Sequence, residues 1–334
     1  MDSLIMKSLF FLFITFITIN SALAQNDMVL VISDTSYASL LEKELEVYKN
    51  DLESEGWNVN FLFKDKKYYS YSEFHKELVL QHSMQKMKGV VLIGNFPYED
   101  DHLISCSECT FANSFFFSIK PDFWVSRIDP SLVTNLDNVA LLKNYFKRNH
   151  EYRKSNYYWN NHINAISSIE SYHDTINYYI HALYSLGSYL PNVVYSTDDF
   201  WKAVNESNAT ITEINVHGNR DLISVNNQII KAEEILYNSH SKSRFIDLYS
   251  CYGGFPDKNN IASAFLFSPF SRVLAVSARS DLASINSQVH AHYVNSMNVV
   301  IGESFIKNYS WANHALPYYN GRILLGDGTL KLKK

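Results

Sequence analysis

Two strand-like segments of the chain end in residues that can make and break acyl bonds. Ile211 to Val216 runs straight into His217-Gly218, and Phe245 to Ser250 runs straight into Cys251-Tyr252-Gly253-Gly254. A thiolate is a good nucleophile towards a carbonyl carbon, and a nearby imidazole can activate it and later protonate the leaving amine. The oxyanion formed on the way needs backbone N–H donors aimed at it. A glycine after the histidine leaves its N–H unobstructed for that task, and the Cys251 N–H is a candidate second donor. Glycines after the cysteine let a substrate backbone approach closely. The two residues lie 34 positions apart, from 217 to 251. That is room for a crossover connection, which would bring the two strand ends side by side in a parallel sheet. Each motif alone also has a plain reading, a surface histidine and a small buried thiol. It is their combination, in order and at strand ends, that points to a site.

The elements that must position these residues read as alternating strands and helices. Met28 to Ser33 and Gly89 to Gly94 are short continuous apolar runs, as expected of strands buried on both faces of a parallel sheet. Between them lie a helical segment with Leu41, Leu45, Tyr48 and Leu52 on one face, closed by Gly56, and a strand with Val59, Phe61 and Phe63 alternating. A second helix is expected over Tyr71 to Met87. Residues 97–122 read as an irregular insertion, Phe123 to Ile128 as a strand and Leu136 to Tyr152 as a helix. After the polar, aromatic run Arg153 to Asn161 the pattern restarts: strand Ile163 to Ile169, helix Asp174 to Leu186, short strand Val193 to Tyr195, the two motif-bearing strands, and strand Val273 to Ala278. A helix over Val299 to Tyr309 and the segment Arg322 to Leu330 close the chain. The order β-α-β-α-β implies a mostly parallel sheet with helices on its faces, in two successive α/β units, 25–155 and 156–334.

Composition narrows the function classes. In 334 residues, 46% hydrophobic and 19% charged is a globular balance, and a net charge of −5 gives no footprint for nucleic acid. No Gly-x-Gly-x-x-Gly or Walker-type run occurs, so a nucleotide enzyme has little support. Residues 1–24 read as a secretory signal peptide: Lys7, an apolar stretch from Leu9 to Ile19, and Ala22-Leu23-Ala24 as the small-x-small cleavage pattern. The apolar stretch is shorter than the ~20 residues needed to span a bilayer. The product is expected to be periplasmic, surface-exposed or secreted, without stable membrane insertion. Three cysteines remain in that oxidising setting. Cys106 and Cys109 form a C-x-x-C pair in a polar loop, either a local disulfide or two inert thiols. The pair lacks the further ligands of a zinc site and the helical context of a thioredoxin-type redox motif. No metal ligand set is evident.

The second unit resembles the gingipain-like cysteine peptidases of the caspase clan. Ile211 to Gly218 is similar to the family's strand ending in His-Gly, and Phe245 to Phe255 to its strand ending in the nucleophile and a glycine. Val273 to Ala278 is similar to the strand that follows. Leu324-Leu325-Gly326-Asp327-Gly328-Thr329-Leu330 resembles the Leu-Gly-Asp-Pro-Ser/Thr-Leu that closes the catalytic domain. The first unit, with Val90 to Gly94 and Trp124 to Ile128, fits the family's first subdomain more loosely. The resemblance implies a caspase-like three-layer α/β sandwich with its catalytic subdomain in 156–334. It implies a thiol endopeptidase with Cys251 as nucleophile, His217 as general base, and the Gly218 and Cys251 N–H groups as the oxyanion hole. It further implies that Glu170 assists the histidine and that Asp174 receives a basic side chain preceding the cut. No cofactor is required, although some members bind structural calcium. The partner is a protein or peptide substrate, and a monomer is expected.

The sequence also departs from the family. Val216 stands before the histidine where glycine is usual, and Gly328 stands where proline is usual. The aromatic residue that lines the gingipain specificity pocket has no clear counterpart between Arg279 and Ser287. These departures motivate a rival: a catalytically degenerate binding module at the cell surface on the same scaffold.

Overall fold

The computed structural model describes residues 27–65, 70–97, 123–155, 163–168, 189–279, 299–306 and 322–332. The predicted signal peptide, Cys106, Cys109, Glu170, Asp174 and the helix expected over Asp174 to Leu186 lie outside them.

Ten strands form one sheet. In the first half they are β1 (Met28–Asp34), β2 (Asn58–Lys64), β3 (Gly89–Ile93) and β4 (Trp124–Ile128). In the second half they are β5 (Ile163–Ser168), β6 (Tyr189–Val194), β7 (Ile211–Asn215), β11 (Phe245–Tyr249) and β12 (Ala275–Arg279), with β13 (Arg322–Gly326) last in sequence. Three short strands, β8 (His217–Gly218), β9 (Leu222–Val225) and β10 (Gln228–Lys231), make a separate antiparallel sheet. The order across the large sheet is β2-β1-β3-β4-β13-β12-β11-β7-β5-β6. Neighbours are parallel throughout, except that β12 and β13 are antiparallel. The molecule is therefore an α/β protein with a large, mostly parallel central sheet.

The apolar runs become central strands because both of their faces are covered. Leu30, Ile32, Val90 and Leu92 pack with Phe74 and Leu78 of helix α2 (Tyr71–Gln85) on one face. Val29, Val31, Val91 and Ile93 face the other way, in the cluster that holds Leu45, Tyr48 and Leu52 of α1 (Glu42–Ser54) and Leu142, Tyr145 and Phe146 of α3 (Asn138–Lys154). The first half is thus layered helix, sheet, helix. The predicted face of α1 is buried at all four positions. Gly56 follows the helix at φ +93° with its N–H on the Glu53 carbonyl, the C′ role expected of it. A Ser70–Glu73 capping box starts α2.

Several boundaries differ from the sequence reading. The helix expected to reach Met87 stops at Gln85, because Lys86 turns left-handed at φ 51°. α3 starts two residues later than expected, at Asn138, where Asp137 caps it through the Val139 N–H, and it runs on to Lys154. β6 begins at Tyr189 rather than Val193, and β7 ends at Asn215, one residue earlier than expected, with β8 beginning at His217. Three helices had no counterpart in the sequence reading: α4 (Thr197–Glu206), α5 (Ala232–Asn238) and α6 (Ile261–Phe267). The β9–β10 hairpin was also missed; its signal was Asn226-Asn227, both at positive φ in a two-residue turn.

Candidate functional site

Strand pairing brings the two motifs together. β7 and β11 are parallel neighbours in register Asn215↔Tyr249. The ladder continues one residue further, where the Val216 N–H donates to the Tyr249 carbonyl at 3.1 Å. His217 and Cys251 therefore leave the same edge of the sheet from adjacent strands, whose spacing is about 4.8 Å. β5 ends at this edge too, with Ser167 opposite Asn215, and β12 flanks β11 on the other side. This is the carboxyl edge of β5, β7, β11 and β12, the place where ligands gather in open α/β sheets.

After Val216 the chain enters the small sheet, with His217 opposite Ser224 and Gly218 opposite Ile223. The Asn219 N–H donates to the Leu222 carbonyl at 2.9 Å, so 219 and 222 form a hydrogen-bonded pair. Antiparallel pairs alternate between bonded and non-bonded. Gly218 and Ile223 are then a non-bonded pair, and the Gly218 N–H turns away from β9. Gly218 also lies hard against the strand before the thiol: a Cβ there would come within 2.1 Å of Ser250 Oγ. The predicted oxyanion donor thus adjoins the Ser250-Cys251 segment, with its N–H unused by the hairpin. His217 is exposed and Cys251 is half-buried.

The residues after Cys251 form a tight turn. The Gly253 N–H reaches back to the Ser250 carbonyl at 3.3 Å, and Tyr252 sits at φ +55°, a region that costs a bulky side chain energy. The turn is held by its surroundings: the Gly254 N–H donates to the Arg279 carbonyl at 2.7 Å, and the Gly253 carbonyl accepts from the Ala262 N–H at 3.0 Å, at the start of α6.

No family model and no curated protein matches the chain. Among solved structures it is similar to LsrB from Clostridium saccharobutylicum in complex with AI-2, at 11% identity and a TM-score of 0.22, over 82% of this chain and 83% of that one. A likeness at that score carries no argument about fold or ligand, so the site stands on its own geometry.

That geometry unites three of the residues singled out from the sequence, His217, Gly218 and Cys251. Glu170 and Asp174 lie outside the described residues, as do Cys106 and Cys109. Among the described residues no group of three or more His, Cys, Asp or Glu side chains is gathered to hold a metal ion, and no helix is long and apolar enough to cross a membrane. Two residues near the site were missed. Arg279 ends β12 fully buried, one strand from Cys251. Arg220, three residues after His217, reaches the loop that follows the thiol. A charge at the end of an otherwise uncharged strand was a readable signal for Arg279. Nothing local to the sequence marked Arg220.

Proposed function

We propose that the protein is an exported thiol endopeptidase of the gingipain-like, caspase-like type, with Cys251 and His217 as its dyad. The observation that carries this reading is the β7–β11 register, which delivers both residues to one edge of the sheet while the hairpin leaves the Gly218 N–H unspent. Peptide hydrolysis on this arrangement runs in two halves. The Cys251 sulfur, its proton passed to His217, attacks the scissile carbonyl carbon, and the Gly218 and Cys251 N–H groups receive the oxyanion. Collapse breaks the C–N bond as His217 protonates the leaving amine, leaving a thioester at Cys251. Water, deprotonated by His217, then releases the acid and restores the thiol. In this reading Glu170 orients the imidazole and Asp174 selects a basic residue before the cut. No step needs a cofactor.

The test is labelling of the purified mature protein with a peptidyl acyloxymethyl ketone bearing Arg or Lys beside the warhead, located by peptide mass spectrometry. The expected result is modification at Cys251 that is lost in His217→Ala, with Cys251→Ala and His217→Ala each abolishing peptide cleavage while circular dichroism is unchanged. Cleavage retained in either variant overturns the dyad. A folded protein in which neither the ketone nor a small alkylator modifies Cys251 is instead a degenerate binding module.

A further inference from the structure

The loop that follows His217 and the loop that follows Cys251 are joined by one side chain. The Arg220 guanidinium carbon lies 3.8 Å above the centroid of the Phe255 ring, and its Nη1 is 3.3 Å from Asp257 Oδ2. The backbone adds to the join, with the Ile261 N–H donating to the Arg220 carbonyl at 3.2 Å. Phe255 is buried, and its ring meets Tyr252 edge-on at 6.3 Å, with Tyr252 the residue next to the thiol. A continuous path therefore runs from His217 through Asn219 and Arg220 to Phe255, Tyr252 and Cys251. We propose that Arg220 is a positioning residue, clamping the imidazole-bearing loop onto the thiol-bearing turn. The proposal rests on the thiol-peptidase reading above.

The nature of the contact argues for positioning over plain stability. The Arg220 and Asp257 side chains are 45% and 52% exposed, so their ion pair contributes little by itself. Removing an exposed arginine leaves neither a cavity nor a stranded buried charge, the usual sources of large destabilisation. What it does remove is the planar contact on a fixed, buried ring, the type of cation–π pairing that holds orientation. Arg220 is the only residue of the 219–221 loop whose side chain is seen on the thiol's loop among the described residues. The dyad's two halves come from different strands, and a shift of about 1 Å between them is enough to cost on the order of 100-fold in a reaction that depends on near-contact geometry.

The deciding measurement is the rate of Cys251 carboxamidomethylation by iodoacetamide, resolved by peptide mass spectrometry, from about pH 5 to about pH 9. Wild type, Arg220→Met, Arg220→Lys, Phe255→Leu and His217→Ala are compared. Arg220→Met and Phe255→Leu are expected to slow labelling roughly tenfold near neutral pH and to shift the pH profile towards that of His217→Ala. Arg220→Lys, which keeps a cation near the ring but not the planar guanidinium that lies on it, is expected to recover part of the rate. Melting temperatures should stay within a few degrees for Arg220→Met, so that a loss of rate reports geometry. If His217→Ala changes the profile while Arg220→Met and Phe255→Leu both match wild type, the clamp is wrong and the dyad stands. If His217→Ala itself matches wild type, the thiol-peptidase reading and the clamp fall together.

Discussion

A Cβ added at Gly218 would sit 2.1 Å from Ser250 Oγ and 2.8 Å from the Leu222 carbonyl oxygen. Real side chains do not approach that closely, so Gly218→Ala must push the His217 loop away from the Ser250-Cys251 segment. Overpacking of this kind costs about 1–3 kcal/mol. The Gly218 N–H survives the substitution but is displaced, so under the thiol-peptidase proposal peptide cleavage should fall by roughly 100-fold, more than the lost stability explains. Ser250 is fully buried and its hydroxyl finds no partner among the described residues, so Ser250→Ala alone should be nearly neutral in stability. It should restore part of the loss when combined with Gly218→Ala, because the nearer of the two clashing atoms is then gone. A denaturant series on the two single variants and the double variant measures the coupling; strict additivity would show that the two residues do not press on one another. At this scale the sequence was informative wherever chemistry dictates residue type. A histidine and a cysteine at strand ends, each with a glycine, were visible without coordinates. The contact that makes Gly218 obligatory was not, because it joins positions 218 and 250 across two strands.

At the scale of elements, the end of α1, α3 and the segment after β13 are tied by an ionic network around the buried Arg153 and Asp327 side chains. Asp327 accepts from Arg153 Nη2 at 2.6 Å, Asn149 Nδ2 at 2.8 Å, and the Thr329 N–H and hydroxyl at 2.9 and 2.6 Å. Arg153 also pairs with Glu55 and holds the Asn149 side-chain oxygen at 2.7 Å. Burial by itself pushes the Asp327 carboxyl up, but the Arg153 charge and the hydrogen bonds from Thr329, Asn149 and Arg153 outweigh it, and the group sits below the ordinary carboxylate range. The linkage follows from that direction. Near pH 4 and below, an unfolded Asp binds a proton that the folded one refuses, so this stabilisation is complete above about pH 4 and is lost as the pH falls through the lower folded value. Asp327→Asn should cost about 3 kcal/mol at neutral pH by leaving a buried guanidinium short of its partner. It should also flatten the acid limb of stability against pH. Urea unfolding at several pH values checks both, and an unchanged acid limb would show that other carboxylates govern it. The Leu324–Leu330 motif was legible as a pattern, but its partners Arg153 and Asn149 in α3 lie 174 and 178 positions upstream and are set only by the tertiary fold. The three short helices escaped notice for a related reason. α5 and α6 have seven residues each, too short to show a helical period clearly.

For the whole molecule, the sequence divided the chain into two α/β units, and the strands of both enter one ten-stranded sheet. Within each half the run of apolar strands separated by helices was enough to read a parallel sheet. The join could not be read, because β13 comes from the far end of the chain and inserts between β4 of the first half and β12 of the second. The join is closely fitted. The Trp124 indole fills space left by Gly89, Gly302 and Gly328, where added Cβ atoms would lie 2.0, 2.2 and 2.6 Å from the ring. This accounts for a glycine at 328, where the resemblance led one to expect a proline. Gly326 ends β13 at φ +93°, and a Cβ there would come 2.2 Å from the Leu274 carbonyl oxygen, beside the bond from the Asp327 N–H to that same oxygen at 3.1 Å. Gly326→Ala combines an unfavourable backbone conformation with a clash against main chain that cannot move aside, so about 2 kcal/mol or more should be lost. Because β13 is hydrogen-bonded to both halves, the loss should register in both. Native-state hydrogen exchange on the buried amides of β1, β3 and β4 and of β7, β11 and β12 should show the two sets opening with one common free energy, lowered together by the substitution. If only the β7, β11 and β12 amides lose protection, the halves are separate cooperative units and β13 belongs energetically to the half that carries Cys251.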